Sequence, residues 1–147
     1  MKRATEVNGY SLVELLIVLS IGGILLGVTA VSLQSYYKSR EVHFFLEQLK
    51  RDLYFTQRQA VVQQKVVFLH IYPDQHRYVV GSGTSSVFKE IIYADQVDVE
   101  SSTMTMKITY TKNGNISSSG TLLIKTDAGK YRLVFLLGKG RFYVERL

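Results

Sequence analysis

The sequence predicts an α+β fold, a long N-terminal helix packed on a mostly antiparallel β-sheet, and three observations carry that reading. An uncharged apolar run, LLIVLSIGGILLGVTAVSLQSYY, extends from Leu15 to Tyr37. A one-sided apolar pattern continues beyond it towards Lys65. From Val66 to the C-terminus the chain is a succession of short β-branched and aromatic segments separated by turn residues.

The apolar run spans 23 positions. At about 1.5 Å per helical residue that matches the hydrocarbon thickness of a bilayer. Ahead of it stands MKRATEVNG, whose Lys2 and Arg3 favour a cytoplasmic N-terminus and an exported remainder. A secretory signal cut after Val28-Thr29-Ala30 is the simpler alternative. Glu14 argues against it, because a carboxylate at the mouth of an apolar helix is costly unless a partner relieves it, and a disposable signal has no need of one. Gly22, Gly23 and Gly27 permit close helix approach, or are simply tolerated in an apolar helix.

After Lys38, apolar residues recur at three- and four-residue steps: Val42, Phe45 or Leu46, Leu49, Leu53, Ala60. That spacing predicts an amphipathic helix over 38–65, with Glu47 and Arg51 as an exposed i, i+4 pair. The segments VVFLHIY, RYVVG, IIYADQVDVE, MTMKITY, TLLIKT, YRLVFLL and RFYVER read as six or seven strands over 66–147. Pro73-Asp74, Asn113-Gly114 and Asp127-Ala128-Gly129-Lys130 mark turns, the Asn-Gly pair being the strongest hairpin signal. Gly81–Ser86 and Asn113–Gly120 read as loops too short to link domains.

Composition bounds the function. In 147 residues, 46% hydrophobic and 20% charged, there is room for one core and an appendage, which excludes a disordered polyelectrolyte and a polytopic membrane protein. With no cysteine there is no disulfide, thiol nucleophile or cysteine-based metal site.

Gly9-Tyr10-Ser11-Leu12-Val13-Glu14-Leu15-Leu16 resembles the class III signal of type IV pilins and pseudopilins, usually Gly followed by Phe, Thr, Leu, Val and Glu. The resemblance implies cleavage by a prepilin peptidase after Gly9, N-methylation of Tyr10, and an assembly role for Glu14. In that role the carboxylate pairs with the charged N-terminus of a neighbouring subunit, an orienting contact because either charge alone in apolar surroundings is unfavourable. Further along, ITYTKNGNISSSGTLLI, YRLVFLL and GKGRFYVER look like the C-terminal sheet of the GspH/FimT class of minor pilins, which includes the ComGD-type pilin of Gram-positive competence pili. A further arginine often follows the Gly-Arg pair of that class, whereas here Gly140-Arg141 is followed by Phe142-Tyr143.

Residues 38–106 hold eight Lys or Arg and eight Asp or Glu; residues 107–147 hold eight Lys or Arg against Asp127 and Glu145. Lys130, Arg132, Lys139, Arg141 and Arg146, interleaved with Tyr131, Phe142 and Tyr143, are candidate DNA contacts, since cations hold phosphates and rings stack on bases. The plainer reading is a strand face with lysines outward and aromatics inward. Asp95, Asp98 and Glu100 lack EF-hand spacing, and His43, His70 and His76 lack paired ligand spacing, so no metal site is expected. No nucleophile elbow or Walker loop is present, so neither catalysis nor a cofactor is expected.

The expected organisation is a leader at 1–9, a transmembrane and assembly helix at 10–37, and a soluble pilin domain at 38–147, made of helix 38–65 and sheet 66–147. The expected function is that of a minor pilin of a competence type IV pilus, single-pass in the membrane before assembly and at the cell surface afterwards. Its implied partners are other major and minor pilins, the prepilin peptidase, the inner-membrane assembly platform, lipid and DNA. A type II secretion pseudopilin of the GspH kind and a membrane-anchored binding protein that never polymerises are the rival readings.

Overall fold

The computed structural model describes residues 11–83 and 86–147, and the side chains of these except 28–39. Among the described residues one α-helix, α1 (Leu12–Gln63), is followed by eight strands: β1 (Val67–Tyr72), β2 (Arg77–Ser82), β3 (Ser86–Ile92), β4 (Val97–Ser101), β5 (Lys107–Tyr110), β6 (Gly120–Thr126), β7 (Gly129–Phe135) and β8 (Phe142–Arg146). The chain divides into two units, one ending at Tyr37 and one beginning at Lys38.

In the first unit the described side chains of α1 are apolar and exposed from Leu12 to Leu26, apart from Glu14 and the small residues. Among the described residues no helix is long and apolar enough to cross a membrane. The expected span 10–37 continues through residues whose side chains lie outside those described, and the leader 1–9 lies outside them altogether.

In the second unit, α1 buries the stripe its sequence announced: Val42, Phe45, Leu46, Leu49, Leu53 and Ala60 are all buried. Its end is a Schellman motif. Gln64 adopts φ 52°, its N–H donates to Val61 O, and the N–H of Lys65 donates to Ala60 O. Glutamine stands where glycine is usual, and its own Nε2 returns to Val61 O at 2.8 Å. The helix therefore stops at Gln63 rather than Lys65. On its exposed side Glu47 pairs with Lys50 at 2.9 Å, which holds the carboxyl below the usual range, while Arg51 donates to Gln48. The expected Glu47–Arg51 pair is thus replaced by a closer i, i+3 partner.

The strands form two wholly antiparallel four-stranded sheets, ordered β3-β2-β1-β5 and β4-β6-β7-β8. This corrects the expectation of six or seven strands in one sheet. IIYADQVDVE is not one strand: Ile91 and Ile92 end β3, and Val97 opens β4 in the other sheet. A turn separates them, closed by the Val97 N–H donating to Ala94 O. Gly81 and Ser82 belong to β2 and Ser86 to β3, so the expected loop there is shorter. Strand β3 hides its alternation because the β2–β3 register shifts at Val80/Gly81 and leaves Val87 and Ile92 exposed. Asp127 and Ala128 do close the β6–β7 hairpin, with Thr126 opposite Gly129. At Asn113-Gly114 the chain reverses, but β5 meets only the single bridge Tyr110↔Ile116 beyond the turn.

The core contains side chains of both sheets and of α1, among them Leu49, Leu53, Leu69, Ile108, Leu122 and Leu133. Among the described residues one carboxylate enters it. Asp52 is 2% exposed and binds Lys89 Nζ at 2.5 Å, while its other oxygen accepts from Tyr78 Oη at 2.7 Å and Gln48 Nε2 at 2.9 Å. These bonds tie the helix to β2 and β3. Burial, then Asp52 itself, pushes the Tyr78 hydroxyl's pKa well above the ordinary tyrosine range. A buried carboxylate so fully partnered fixes register, because losing any partner leaves a desolvated polar group.

Candidate functional site

Three regions carry the chemistry singled out in the sequence. At the N-terminus, the Ser11 hydroxyl accepts from the Val13 N–H at 3.3 Å, and its carbonyl accepts from the Leu15 N–H at 3.2 Å. Ser11 is therefore an N-cap, and Glu14, three residues on, occupies the first-turn position of a capping box, where the helix dipole favours a carboxylate. Glu14 is exposed, in a surface of exposed Leu12, Val13, Leu15 and Leu16. A Cβ added at Gly22, Gly23 or Gly27 would meet no atom within 4 Å. Gly9 and Tyr10, the expected cleavage and methylation residues, lie outside the described residues.

The second region is an open groove of about 530 Å³ between α1 and two loops. Tyr54, Arg58, Val61 and Val62 come from the helix, Asn113–Asn115 from one loop and Lys139 from the other. Gln57 assembles it: its Nε2 donates to Gly114 O at 2.8 Å and to Lys139 O at 2.9 Å. Gly140 makes that clasp feasible. Its φ is +66°, and a Cβ there would lie 2.6 Å from Gln57 Nε2, 2.7 Å from Gly114 O and 2.9 Å from Tyr110 Cε1. Two cations and no carboxylate line the groove, beside the apolar side chains of Val61 and Val62. Arg58 was legible in the sequence only as a helix former; its place here depends on loops some 55 and 80 residues away folding back onto the helix.

The third region is the basic C-terminal sheet. Lys130 and Arg132 share one face of β7, exposed. Arg132 faces Glu145 across the ladder and binds it at 2.7 Å, an exposed pair worth little to stability. Opposite Lys130 stands Lys125, which binds Glu100 of β4 at 2.5 Å. Arg146 is the register partner of Tyr131, so it lies on the other face, where its guanidinium donates to Ala128 O at 3.1 Å. Lys139 and Arg141 sit in the β7–β8 loop, beyond the end of β7 that lies roughly 17 Å along the strand from Lys130 at ~3.3 Å per residue. The five cations thus fall into two pairs, Lys130 with Arg132 and Lys139 with Arg141, with Arg146 apart. Tyr131 and Phe142 pack against the core and Tyr143 is exposed.

Asp95 and Asp98 are exposed and Glu100 is engaged by Lys125. Among the described residues no three His, Asp or Glu side chains gather where a metal could sit.

Residues 6–30 match the prokaryotic N-terminal methylation motif. Over 144 residues, 98% of this chain and 97% of its counterpart, the sequence is 28% identical to the competence protein ComGD of Bacillus subtilis (strain 168). The fold is similar to that of the type IV minor pilin FimU of Pseudomonas aeruginosa, with a TM-score of 0.63 and 17% identity over 75% of this chain and 92% of that one. It is also similar to the minor pseudopilin EpsH of the Vibrio cholerae type 2 secretion system, with a TM-score of 0.56 and 11% identity over 72% and 97%. The fold is thus type IV pilin-like, and residues 6–30 of the same chain match the N-terminal methylation motif.

Proposed function

We propose that this chain is a minor pilin of a competence type IV pilus and supports the binding and uptake of external DNA. The observation that carries the reading is the likeness to ComGD along nearly the whole of both chains, rather than in the methylation motif alone. In this reading a prepilin peptidase cuts after Gly9, Tyr10 is methylated, and the apolar segment holds the chain in the membrane with its N-terminus cytoplasmic until the assembly platform delivers it to a filament. Glu14 then meets the N-terminus of an adjoining pilin. Its exposure among exposed leucines suits that role, since the partner comes from outside the chain. The protein's work is structural and interactive rather than catalytic.

In this reading DNA is contacted by Lys139 and Arg58, which line the helix–loop groove, and by Arg141 of the same loop as Lys139. Lys130 adds an exposed cation at the other end of β7. Two tests decide the reading. Mass spectrometry of the mature chain should give a start at methylated Tyr10; an intact leader, or a start after Ala30, would remove the filament role. Deletion of the gene should abolish transformation while sparing protein secretion; the reverse pattern would make the chain a type II secretion pseudopilin.

A further inference from the structure

Strand β1 buries Val67, Leu69 and Ile71, and its alternate residues Phe68, His70 and Tyr72 stand half-buried on the other face of the first sheet. Three rings at a spacing of two form a stripe along the middle of that face. His70 and Tyr72 lie with ring centroids 4.3 Å apart. Across the ladder, Gly81 is opposite Phe68, Lys107 opposite His70 and Arg77 opposite Tyr72. Lys107 Nζ lies 4.3 Å from the centre of the Phe68 ring, and the Arg77 guanidinium 4.7 Å from that of Tyr72. A Cβ on Gly81 would come within 3.3 Å of the Phe68 ring, so glycine lets that ring lie across the neighbouring strand. Burial, and after it Lys107, lowers the pKa of His70, which favours an uncharged ring.

The sheet's opposite face supplies the core through Val67, Leu69 and Ile71, whereas these three rings keep part of their surface open. The face carries Lys107 and Arg77 against a single carboxylate, Glu90, which Arg77 holds at 2.5 Å. Flat π-surfaces with cations beside them match a ligand that alternates aromatic bases with phosphates. Stacking needs bases that are free of a duplex, since paired bases are stacked on one another.

We propose that this face binds single-stranded nucleic acid, with bases stacked on Phe68, His70 and Tyr72 and phosphates held by Lys107 and Arg77. In the complex the two cations move from the ring faces to the phosphates. The inference rests on the DNA-handling reading above and adds to it a second surface and a strand form. A neighbouring pilin is the competing occupant, but the charge on the rings favours the polyanion.

The test uses the full chain in detergent with a labelled oligothymidylate and a labelled duplex of equal length. The double substitution His70→Ala with Tyr72→Ala should raise the single-strand Kd about tenfold or more, leave its salt dependence unchanged and leave duplex affinity alone. Tyr72→Phe, which keeps the ring, should bind as the parent does. Lys107→Gln should reduce the slope of log K against log salt by about 0.7. Thermal unfolding establishes that each variant is folded. Unchanged single-strand affinity in the folded double variant would overturn the proposal, as would lost pilus incorporation with affinity intact, which would give the face to another subunit. Where duplex binding exists and weakens in Lys139→Gln or Arg141→Gln while the ring variants change nothing, this inference alone falls. If the parent chain binds neither probe, the DNA reading falls with it.

Discussion

The two halves of α1 treat an acid among apolar residues in opposite ways. Up to Gly27 the described leucines, isoleucines and valines are exposed, and so is Glu14 among them. From Val42 onward the apolar stripe is buried, and Asp52 within it is met by Lys89, Tyr78 and Gln48. One half has its complement inside the chain; the other, in the proposed filament, finds it on another molecule. The lesson is that helical periodicity marks which half is completed by its own fold. A stripe with a polar opposite face packs on a sheet, whereas a run apolar on all sides requires lipid or a neighbour.

The largest test of that contrast is Asp52→Ala. It strands the Lys89 charge and the Tyr78 hydroxyl, and should destabilise the soluble unit by about 3 kcal/mol, read as a lower urea midpoint. An unchanged midpoint would erase the distinction between the two acids. Next comes Gly140→Ala, which places a Cβ against Gln57, Gly114 and Tyr110 at a left-handed φ. A loss of about 2 kcal/mol is expected, and measurement of the same midpoint checks it. Gln57→Ala removes two hydrogen bonds and should cost about 1–2 kcal/mol, with protease nicking appearing first in the Asn113 and Lys139 loops. The smallest change in stability belongs to Glu14→Ala, within about 0.5 kcal/mol as for other exposed sites. Its effect should appear instead as reduced recovery in sheared pili, and normal recovery would refute the assembly role.

Alkali sharpens the same comparison. Burial pushes Tyr93 up to about 12 and raises Tyr110 and Tyr78 further. The folded chain then retains protons that the unfolded chain releases, so stability is full below the ordinary tyrosine value of about 10 and falls as pH rises through and above about 12. A urea midpoint independent of pH across that window would contradict the burial of these hydroxyls.

Much of this was legible in the residues, for identifiable reasons. Val42, Leu49, Leu53 and Ala60 declared their face because helical spacing is local, and Asp127-Ala128 declared its hairpin because two-residue loops have a local signature. The division into two sheets was not legible: a continuous β-rich run conceals a turn at Tyr93–Gln96 that sends the chain from one layer to the other. Nor was the partnership of Asp52 with Lys89, since 37 residues separate them. The basic residues show the limit most plainly. Lys130 and Arg146 lie close in sequence to Lys139 and Arg141, yet strand length and alternation carry them to other ends and faces, while Arg58 joins Lys139 from a distant helix.

A single amide, that of Gln57, donates to carbonyls of two loops, one joining the two sheets and one joining β7 to β8. The loops are therefore heritable as a couple. An insertion in one displaces its carbonyl from the shared donor and unseats the other, so length changes near Gly114 and Gly140 should be tolerated only when they occur together or when position 57 changes with them.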